Sequence, residues 1–195
     1  MNQALLLCAG ESTRMGQPKA LCRLANETLL GRILTTLREV GIESPCVILA
    51  APHGSEIAAW LTSRGLTAPH LVWNPEPSDG MLSSMQCGLQ ALPPSVAGTL
   101  LWPVDLPLVA VSTVRRMLQA DAERLVIPTF GARGGHPVWL PQSRFAAVLA
   151  LPRRASLREL PKSQPPLRVP VDDPEVLEDL DTPEALAQAE LRLRR

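Results

Sequence analysis

Two glycines, two hydroxyls and two cations are concentrated in one short stretch, residues 9–19. Glycines let a backbone turn closely around an anion, and Arg14 and Lys19 can donate charge-assisted hydrogen bonds to phosphate oxygens. The stretch follows a continuous apolar run, residues 4–9, which is typical of a strand buried on both faces of a parallel sheet. The combination predicts a polyphosphate-binding loop, with a plain charged connection as the alternative.

This loop differs from the two common nucleotide-binding loops. A Walker loop requires a glycine where Met15 stands and a Gly-Lys-Ser/Thr ending, and the dinucleotide fingerprint requires GxGxxG. Neither pattern is present in residues 9–19. A nucleotide fold of a different kind is therefore indicated.

Asp105 directly follows a very apolar run, residues 98–104. If that run is a strand, the carboxylate emerges at the edge of the sheet. Mg²⁺ prefers hard oxygen ligands and is usually held by one or two carboxylates together with substrate phosphates. Asp105 is therefore predicted to bind Mg²⁺, and capping of the following helix is the structural alternative.

A second group of polar residues precedes a predicted helix over residues 81–92. Asp79 and Gly80 stand where the free helix amides can receive a polar ligand, and Ser83 and Ser84 offer additional donors. The structural alternative is simple capping of the helix.

Residues 131–137 form a Gly-rich loop that carries one arginine and one histidine. Adjacent glycines would let the loop amides face a bulky anionic ligand, and His136 could donate a hydrogen bond to it. The same composition suits an ordinary surface hairpin with a satisfied imidazole.

Strand-like and helix-like patterns alternate along the chain. Such alternation predicts an α/β fold, an open and mostly parallel sheet with helices on both faces, with ligands outside the carboxyl ends of the strands. The predicted strands are residues 4–9, 46–51, 70–73, 98–104, 125–128, 138–140 and 167–171, and the predicted helices are residues 29–40, 55–64, 81–92, 113–122, one or two within 143–160, and 183–194.

The composition limits the class of protein. The 195 residues, 46% of them hydrophobic, are expected to form a single domain over residues 1–195. Nineteen basic residues balance 19 acidic ones, so no overall field attracts nucleic acid or anionic lipid. No apolar stretch reaches the roughly 18 residues of a membrane span, and the first residues lack a secretory signal. We therefore expect a cytoplasmic protein without a membrane or nucleic-acid partner.

The first loop fits the pattern LxxAGxSxRMGxxK and resembles the signature of nucleotidyltransferases of the molybdenum-cofactor (MobA-like) and sugar-nucleotide type. Members of that family have a Rossmann-like fold, and this loop wraps the triphosphate. The resemblance implies that Ala9, Gly10 and Ser12 contact the nucleotide and that Arg14 and Lys19 bind its phosphates.

Later motifs occur in the order found in the same family. The DGMxxS run at residues 79–84 resembles a segment of molybdopterin cytidylyltransferases that lies beside the nucleotide base, which implies CTP as donor. Asp105 matches the family's metal-binding aspartate in a DxP motif. The GxxGHP loop faces the second substrate there, which makes Gly135 and His136 substrate-site residues.

The segment 177–184 resembles the family ending DIDTPED, where an acidic residue approaches the same metal from across the cleft. By that resemblance Asp179 is the first choice for a second metal ligand and Asp181 the next. One departure stands out: residues 151–160 lack the Gly-Asp and Gly-Ala-Arg elements that relatives often carry.

The resemblance implies Mg²⁺-dependent transfer of CMP from CTP to the terminal phosphate of molybdopterin, with release of pyrophosphate, and a molybdoenzyme as a client. Two enzyme alternatives remain, guanylyl transfer to molybdopterin and nucleotidyl transfer to a sugar 1-phosphate. The former is disfavoured by the absence of a Gly-Pro-Leu-rich segment at residues 79–84, the latter by the GHP loop. A molybdopterin-carrying chaperone is the non-enzymatic alternative.

Overall fold

The apolar run at the start of the chain forms the central strand of the sheet. In the computed structural model, which describes residues 2–66, 70–161 and 164–194, this strand is β1 (Asn2–Leu7). Its alternate side chains enter two hydrophobic clusters, with Leu6 on one face and Leu5 on the other. Burial on both faces explains why the run is continuously apolar.

Ten strands are present in the described residues, eight of them in one sheet. The sheet order is β10-β7-β9-β6-β1-β4-β5, and β8 pairs with β7. Strand β9 runs antiparallel to β6 and β7, whereas the pairings of β1 with β4 and β6, of β4 with β5 and of β7 with β10 are parallel. The remaining strands are β2 (Arg23–Leu24), β3 (Glu27–Thr28), β4 (Cys46–Leu49), β5 (Leu71–Trp73), β6 (Gly98–Pro103), β7 (Val126–Phe130), β8 (Arg133–Gly134), β9 (Val138–Pro141) and β10 (Leu167–Pro170).

Helices cover both faces of the sheet. The first cluster holds side chains from α1, α2 and α4, and the second holds side chains from α3 and α5. The bounds are α1 (Leu29–Glu39), α2 (Gly54–Thr62), α3 (Met81–Ala91), α4 (Val111–Leu118), α5 (Phe145–Leu149) and α6 (Pro183–Leu193). The predicted fold class, an open and mostly parallel α/β sheet, is confirmed.

Differences from the predicted elements lie in the shorter segments. Residues 142–160 hold the short α5 and two 3₁₀ turns, Gln142–Arg144 and Leu157–Glu159. Helix α4 ends four residues earlier than predicted. The hairpin of β2 and β3 was not predicted, because each strand has only two residues and no alternating pattern. Among the described residues, no helix has the length and apolarity that a membrane span requires.

The segment between β10 and α6 crosses back over the carboxyl edge of the sheet. Asp173 anchors it from a buried position, where its carboxylate accepts hydrogen bonds from the Ala110 amide (2.8 Å), the Thr113 hydroxyl (2.7 Å) and the Glu175 amide (3.2 Å). Thr182 then caps α6 by accepting from the Ala185 amide at 3.2 Å, as predicted. The segment is thereby held at both ends.

Replacement of the anchor tests its contribution to stability. Asp173→Ala leaves the Thr113 hydroxyl and the Ala110 amide without their partner, and each unsatisfied buried group costs about 1–3 kcal/mol. We expect the free energy of unfolding in urea to fall by about 2–4 kcal/mol. Asp173→Asn keeps one acceptor oxygen and is the matched control, with a smaller loss. Equal stability of wild type and Asp173→Ala would show that the anchor contributes nothing.

Candidate active site

The residues that follow β1 and β6 meet at one edge because these strands are paired in parallel, with Leu7 opposite Pro103. A cleft of about 380 Å³ lies there, and we call it the loop cleft. The start of α3 forms another side of it. Most of the predicted nucleotide and metal residues line the loop cleft: Ala9, Gly10, Ser12, Arg14, Lys19, Gly80, Ser84, Asp105 and Asp181.

Hydrogen bonds of Ser12 shape the loop after β1. Its backbone is left-handed, with φ 53°, and its hydroxyl accepts from the Lys19 amide at 3.0 Å and contacts the Gly10 carbonyl at 3.5 Å. Gly16, with φ 65°, makes a second left-handed turn that a side chain would strain. The Ser12 hydroxyl therefore fixes the backbone of Lys19 within the loop.

Both cations of the loop point at carboxylates from across the cleft. The Lys19 ammonium hydrogen-bonds Asp181 and lies 3.6 Å from an oxygen of Asp105, and the Arg14 guanidinium lies 3.0 Å from Asp181. The hydrogen bond from Lys19 holds the pKa of Asp181 below its ordinary value, with further lowering by the charge of Arg14. The two cations predicted to bind phosphate, Arg14 and Lys19, thus form ion pairs with the carboxylates predicted to bind the metal.

Asp105 has one carboxylate oxygen without a partner. Its Oδ1 is buried and makes no hydrogen bond to any described residue, while its backbone carbonyl accepts from the Leu180 amide at 2.9 Å. Helix capping does not explain Asp105, since the N-cap of α4 is Ala110 and the Ala110 amide is bound by Asp173. A buried oxygen without a donor suits a hard cation.

The acidic residues do not form a complete metal cage. Within residues 2–66, 70–161 and 164–194, no group of three or more histidine, cysteine, aspartate or glutamate side chains is arranged to hold a metal ion. Mg²⁺ needs no such cage, because one or two carboxylates with substrate phosphates and waters complete its shell. Asp105 with Asp181 matches that smaller ligand set.

The two acidic residues of the last motif differ in position. Asp181 lines the loop cleft, whereas Asp179 is exposed and is not among the lining residues. Although the residue as a whole is exposed, partial desolvation of its carboxyl raises the pKa of Asp179, and the negative charges of Asp105 and Asp181 raise it further. The three carboxylates therefore repel one another, and of the two acidic residues of the last motif Asp181 is the one that lines the loop cleft.

The start of α3 is organised by a residue that sequence reasoning missed. Asn74 is buried and donates hydrogen bonds to the hydroxyls of Ser83 and Ser84, at 2.8 and 3.0 Å. The Ser83 hydroxyl also reaches the carbonyl of Gly80 at 2.8 Å. Ser83 is thus occupied inside the protein, and of these two serines Ser84 is the one that lines the loop cleft.

Asp79 is turned away from the helix amides. The N-cap of α3 is Gly80, without a side-chain cap, and the Asp79 carboxylate lies 3.1 Å from Arg154 and 3.9 Å from Arg153. Capping by Asp79, the structural alternative, is therefore wrong. The ion pairs join the start of α3 to the segment 151–160, which departs from the family pattern.

Beyond this junction lies a larger cavity of about 770 Å³, which we call the arginine cavity. Gly80 and Met81 line both the loop cleft and the arginine cavity, so the two are adjacent. Gly135 and His136 stand in its wall. Four arginines that sequence reasoning did not select also line it: Arg144, Arg154, Arg158 and Arg168.

The glycines of the GHP loop have a different role from the one expected. The Gly135 amide donates to the Pro128 carbonyl and the His136 amide to the Val176 carbonyl, both at 2.9 Å, so neither amide is available to a ligand. A Cβ on Gly135 would overlap the carbonyl oxygen of Val176. The expectation that the loop amides face a ligand was wrong for Gly135 and His136: the stretch is the β7–β8 hairpin, the alternative that the sequence allowed, and its packed exit.

His136 presents its side chain to the arginine cavity. Its Nδ1 is buried and has no hydrogen-bond partner among the described residues. Burial lowers the pKa of the imidazole, against the opposing charge of Asp105 and the carbonyl of Leu101. The ring is therefore mostly neutral near pH 7, so that one ring nitrogen can donate a hydrogen bond and the other can accept one.

Comparison with known proteins gives the family. The profile of the MobA-like NTP transferase domain matches residues 4–168, which includes the first loop, Asp105 and the GHP loop. Asp179 and Asp181 lie beyond the matched residues.

Two curated relatives share about a third of the aligned residues. The bifunctional IPC transferase and DIPP synthase of Rubrobacter xylanophilus is 32% identical over 123 residues, 62% of this chain and 27% of that protein. The molybdenum cofactor guanylyltransferase of Sinorhizobium fredii is 33% identical over 104 residues, 53% of this chain and 45% of that protein. The chain thus matches less than half the length of either relative.

A solved structure agrees over the whole chain. The nucleotidyl transferase of Methanothermobacter thermautotrophicus superposes with a TM-score of 0.79 at 19% identity, covering 100% of this chain and 98% of that one. That likeness supports the fold, and the profile match over residues 4–168 supplies the family. The chain belongs to the family of MobA-like NTP transferase domains.

Proposed function

We propose that the protein transfers CMP from CTP to the terminal phosphate of molybdopterin and releases pyrophosphate. One observation carries the proposal: the loop cleft brings Arg14 and Lys19 against Asp105 and Asp181, and it adjoins a larger cavity that contains His136. A nucleotidyl transfer requires such a pair of neighbouring sites, one for the donor triphosphate and one for the acceptor. The family supports the reaction class.

Asp105 and Asp181 would hold Mg²⁺, and the buried oxygen of Asp105 fits that role. When bound, the ion supplies charge neutralisation and orientation at the phosphates. Lys19 and Arg14 would then release Asp181 and donate to the phosphate oxygens, neutralising charge that accumulates on the departing pyrophosphate. Lys19 and Arg14 would thus exchange the carboxylate of Asp181 for the phosphates, and Asp181 would exchange the two cations for the metal ion.

The acceptor needs no protein base. Its phosphate is already ionised near neutral pH, so an oxygen of it can attack the α-phosphorus in line while the bond to pyrophosphate breaks. His136, neutral and partly desolvated, would orient the acceptor with a hydrogen bond. Positioning and electrostatics therefore provide the catalysis.

The charge exchange gives opposite effects for two substitutions. Lys19→Ala removes a charged phosphate contact worth about 1.5–3 kcal/mol, so CTP affinity should fall about 10- to 100-fold. Asp181→Asn removes the carboxylate that competes for Lys19 and Arg14, so CTP should bind about 3-fold or more tightly in EDTA. Calorimetric titration with CTP measures both, and Arg23→Ala, outside the loop cleft, is the control. A loss of affinity in Asp181→Asn without metal would contradict the exchange.

Loss of the proposed metal ligand should stop the reaction. Asp105→Asn keeps the size of the side chain but removes the charge that attracts a divalent cation. We expect pyrophosphate release to fall at least about 100-fold, which is the loss typical of a removed electrostatic stabiliser. The thermal transition should shift by only a few degrees. Turnover at the wild-type rate would refute the role of Asp105.

The donor and acceptor are tested together. Purified protein receives each of the four nucleoside triphosphates with Mg²⁺ and either molybdopterin or sugar 1-phosphates, and the dinucleotide product is measured. We expect CTP with molybdopterin to react, and His136→Ala to slow that reaction at least about tenfold without a change in CTP affinity. His70→Ala, whose side chain lines neither cavity, is the control.

Other products would identify other functions. The curated relative from Sinorhizobium fredii is a guanylyltransferase by name, so a preference for GTP would move this chain to that activity. Product from a sugar phosphate alone would overturn the molybdopterin proposal. Binding of molybdopterin without any product would favour a carrier.

A further inference from the structure

The arginine cavity has features that transfer to a terminal phosphate alone does not require. Its volume of about 770 Å³ lies within the range of small-molecule sites. One wall is apolar and comes from α3, the sheet and the segment 151–160. The wall is formed by Leu82, Met85, Ile127, Val138, Leu157 and Leu160.

The charge of this cavity is strongly positive although the chain as a whole is neutral. Arg144, Arg154, Arg158 and Arg168 line it with Asp79 as the single lining carboxylate among the described residues. Asp79 is already engaged with Arg154 at 3.1 Å. An excess of three positive charges in a half-apolar cavity favours an anionic ligand.

Several of these guanidinium groups have donors to spare. Arg144 donates to the Gln164 carbonyl at 2.9 Å, but its Nε is buried and without a partner among the described residues. Within the same residues, Arg158 and Arg168 have no carboxylate within 4.0 Å. Arg158 and Arg168 can therefore donate charge-assisted hydrogen bonds to an anionic ligand in the cavity.

Topology separates Arg168 from the reacting end of the cavity. Arg168 lies on β10, three strands away from β6, the strand that leads to Asp105, in the order β10-β7-β9-β6. At about 4.8 Å per strand the two strands lie roughly 14 Å apart. A long side chain spans only part of that distance. The Arg168 guanidinium lies against Gly134 on β8 and not at the end of β6, so an anion bound there is separate from a phosphate at the junction with the loop cleft.

We infer that the arginine cavity selects an acceptor with a second anionic group, separate from its reacting phosphate. Arg168 binds that second group, together with Arg158, the other lining arginine that has no carboxylate within 4.0 Å among the described residues. The apolar wall holds the body between the two anions. The inference rests on the proposed function, since it places the reacting phosphate beside the loop cleft. It assigns a specificity role to residues 151–160, where this chain departs from the pattern of its relatives.

A binding measurement tests the inference without turnover. The loop cleft is first filled with α,β-methylene CTP and Mg²⁺, and the protein is then titrated with glucose 1-phosphate or glucose 1,6-bisphosphate as probes. We expect the bisphosphate to bind at least about tenfold more tightly, since a charge-assisted contact is worth about that factor. The double variant Arg158→Gln/Arg168→Gln should bind both probes equally.

The matched control is Arg116→Gln, an exposed arginine on α4, at the opposite face of the sheet from α3. It should keep the tenfold difference. Equal affinity of the wild type for the two probes, no binding of either, or an unchanged difference in the double variant would overturn the inference. Failure of the proposed function is seen separately, as a lack of CMP transfer to molybdopterin in the turnover assay.

Discussion

The parallel pairing of β1 with β6 is the constraint on which the site depends. Six consecutive residue pairs, from Asn2 opposite Gly98 to Leu7 opposite Pro103, place the ends of both strands side by side. Because both strands are buried on both faces, neither can slip without exposing apolar side chains or burying polar ones. The glycine-rich loop after β1 and Asp105 are therefore neighbours, although Lys19 and Asp105 are 86 positions apart in the sequence.

Opposite charges that meet at this edge stabilise the site before any ligand binds. Lys19 and Arg14 belong to the loop after β1, whereas Asp181 arrives on the segment that Asp173 anchors and Thr182 ends. Without Asp181, the positive charges of Lys19 and Arg14 would repel each other. Without the two cations, the negative charges of Asp181 and Asp105 would repel each other. The same groups suit a metal and a triphosphate together. The metal would take the place of the two cations beside the carboxylates, and the triphosphate would take the place of the carboxylates beside the cations.

Predictions from local pattern succeeded where the pattern is long. The apolar run of β1, the amphipathic spacing of α1 and the Thr182 start of α6 all formed as predicted, because burial and capping act over a few neighbouring residues. The GHP stretch was predicted less well. Its hairpin was open as an alternative, but packing of Gly135 against Val176 depends on a residue 41 positions away.

By itself the sequence determined the fold class, the glycine-rich cationic loop after β1 and the strand-end position of Asp105, because these follow from periodicity and residue type. Tertiary structure alone decided that Asp181 rather than Asp179 lines the loop cleft, and that the Ser83 hydroxyl is hydrogen-bonded to Asn74. It also decided that four scattered arginines share one cavity. Such choices depend on distances between segments far apart in the chain, and no local pattern encodes those distances.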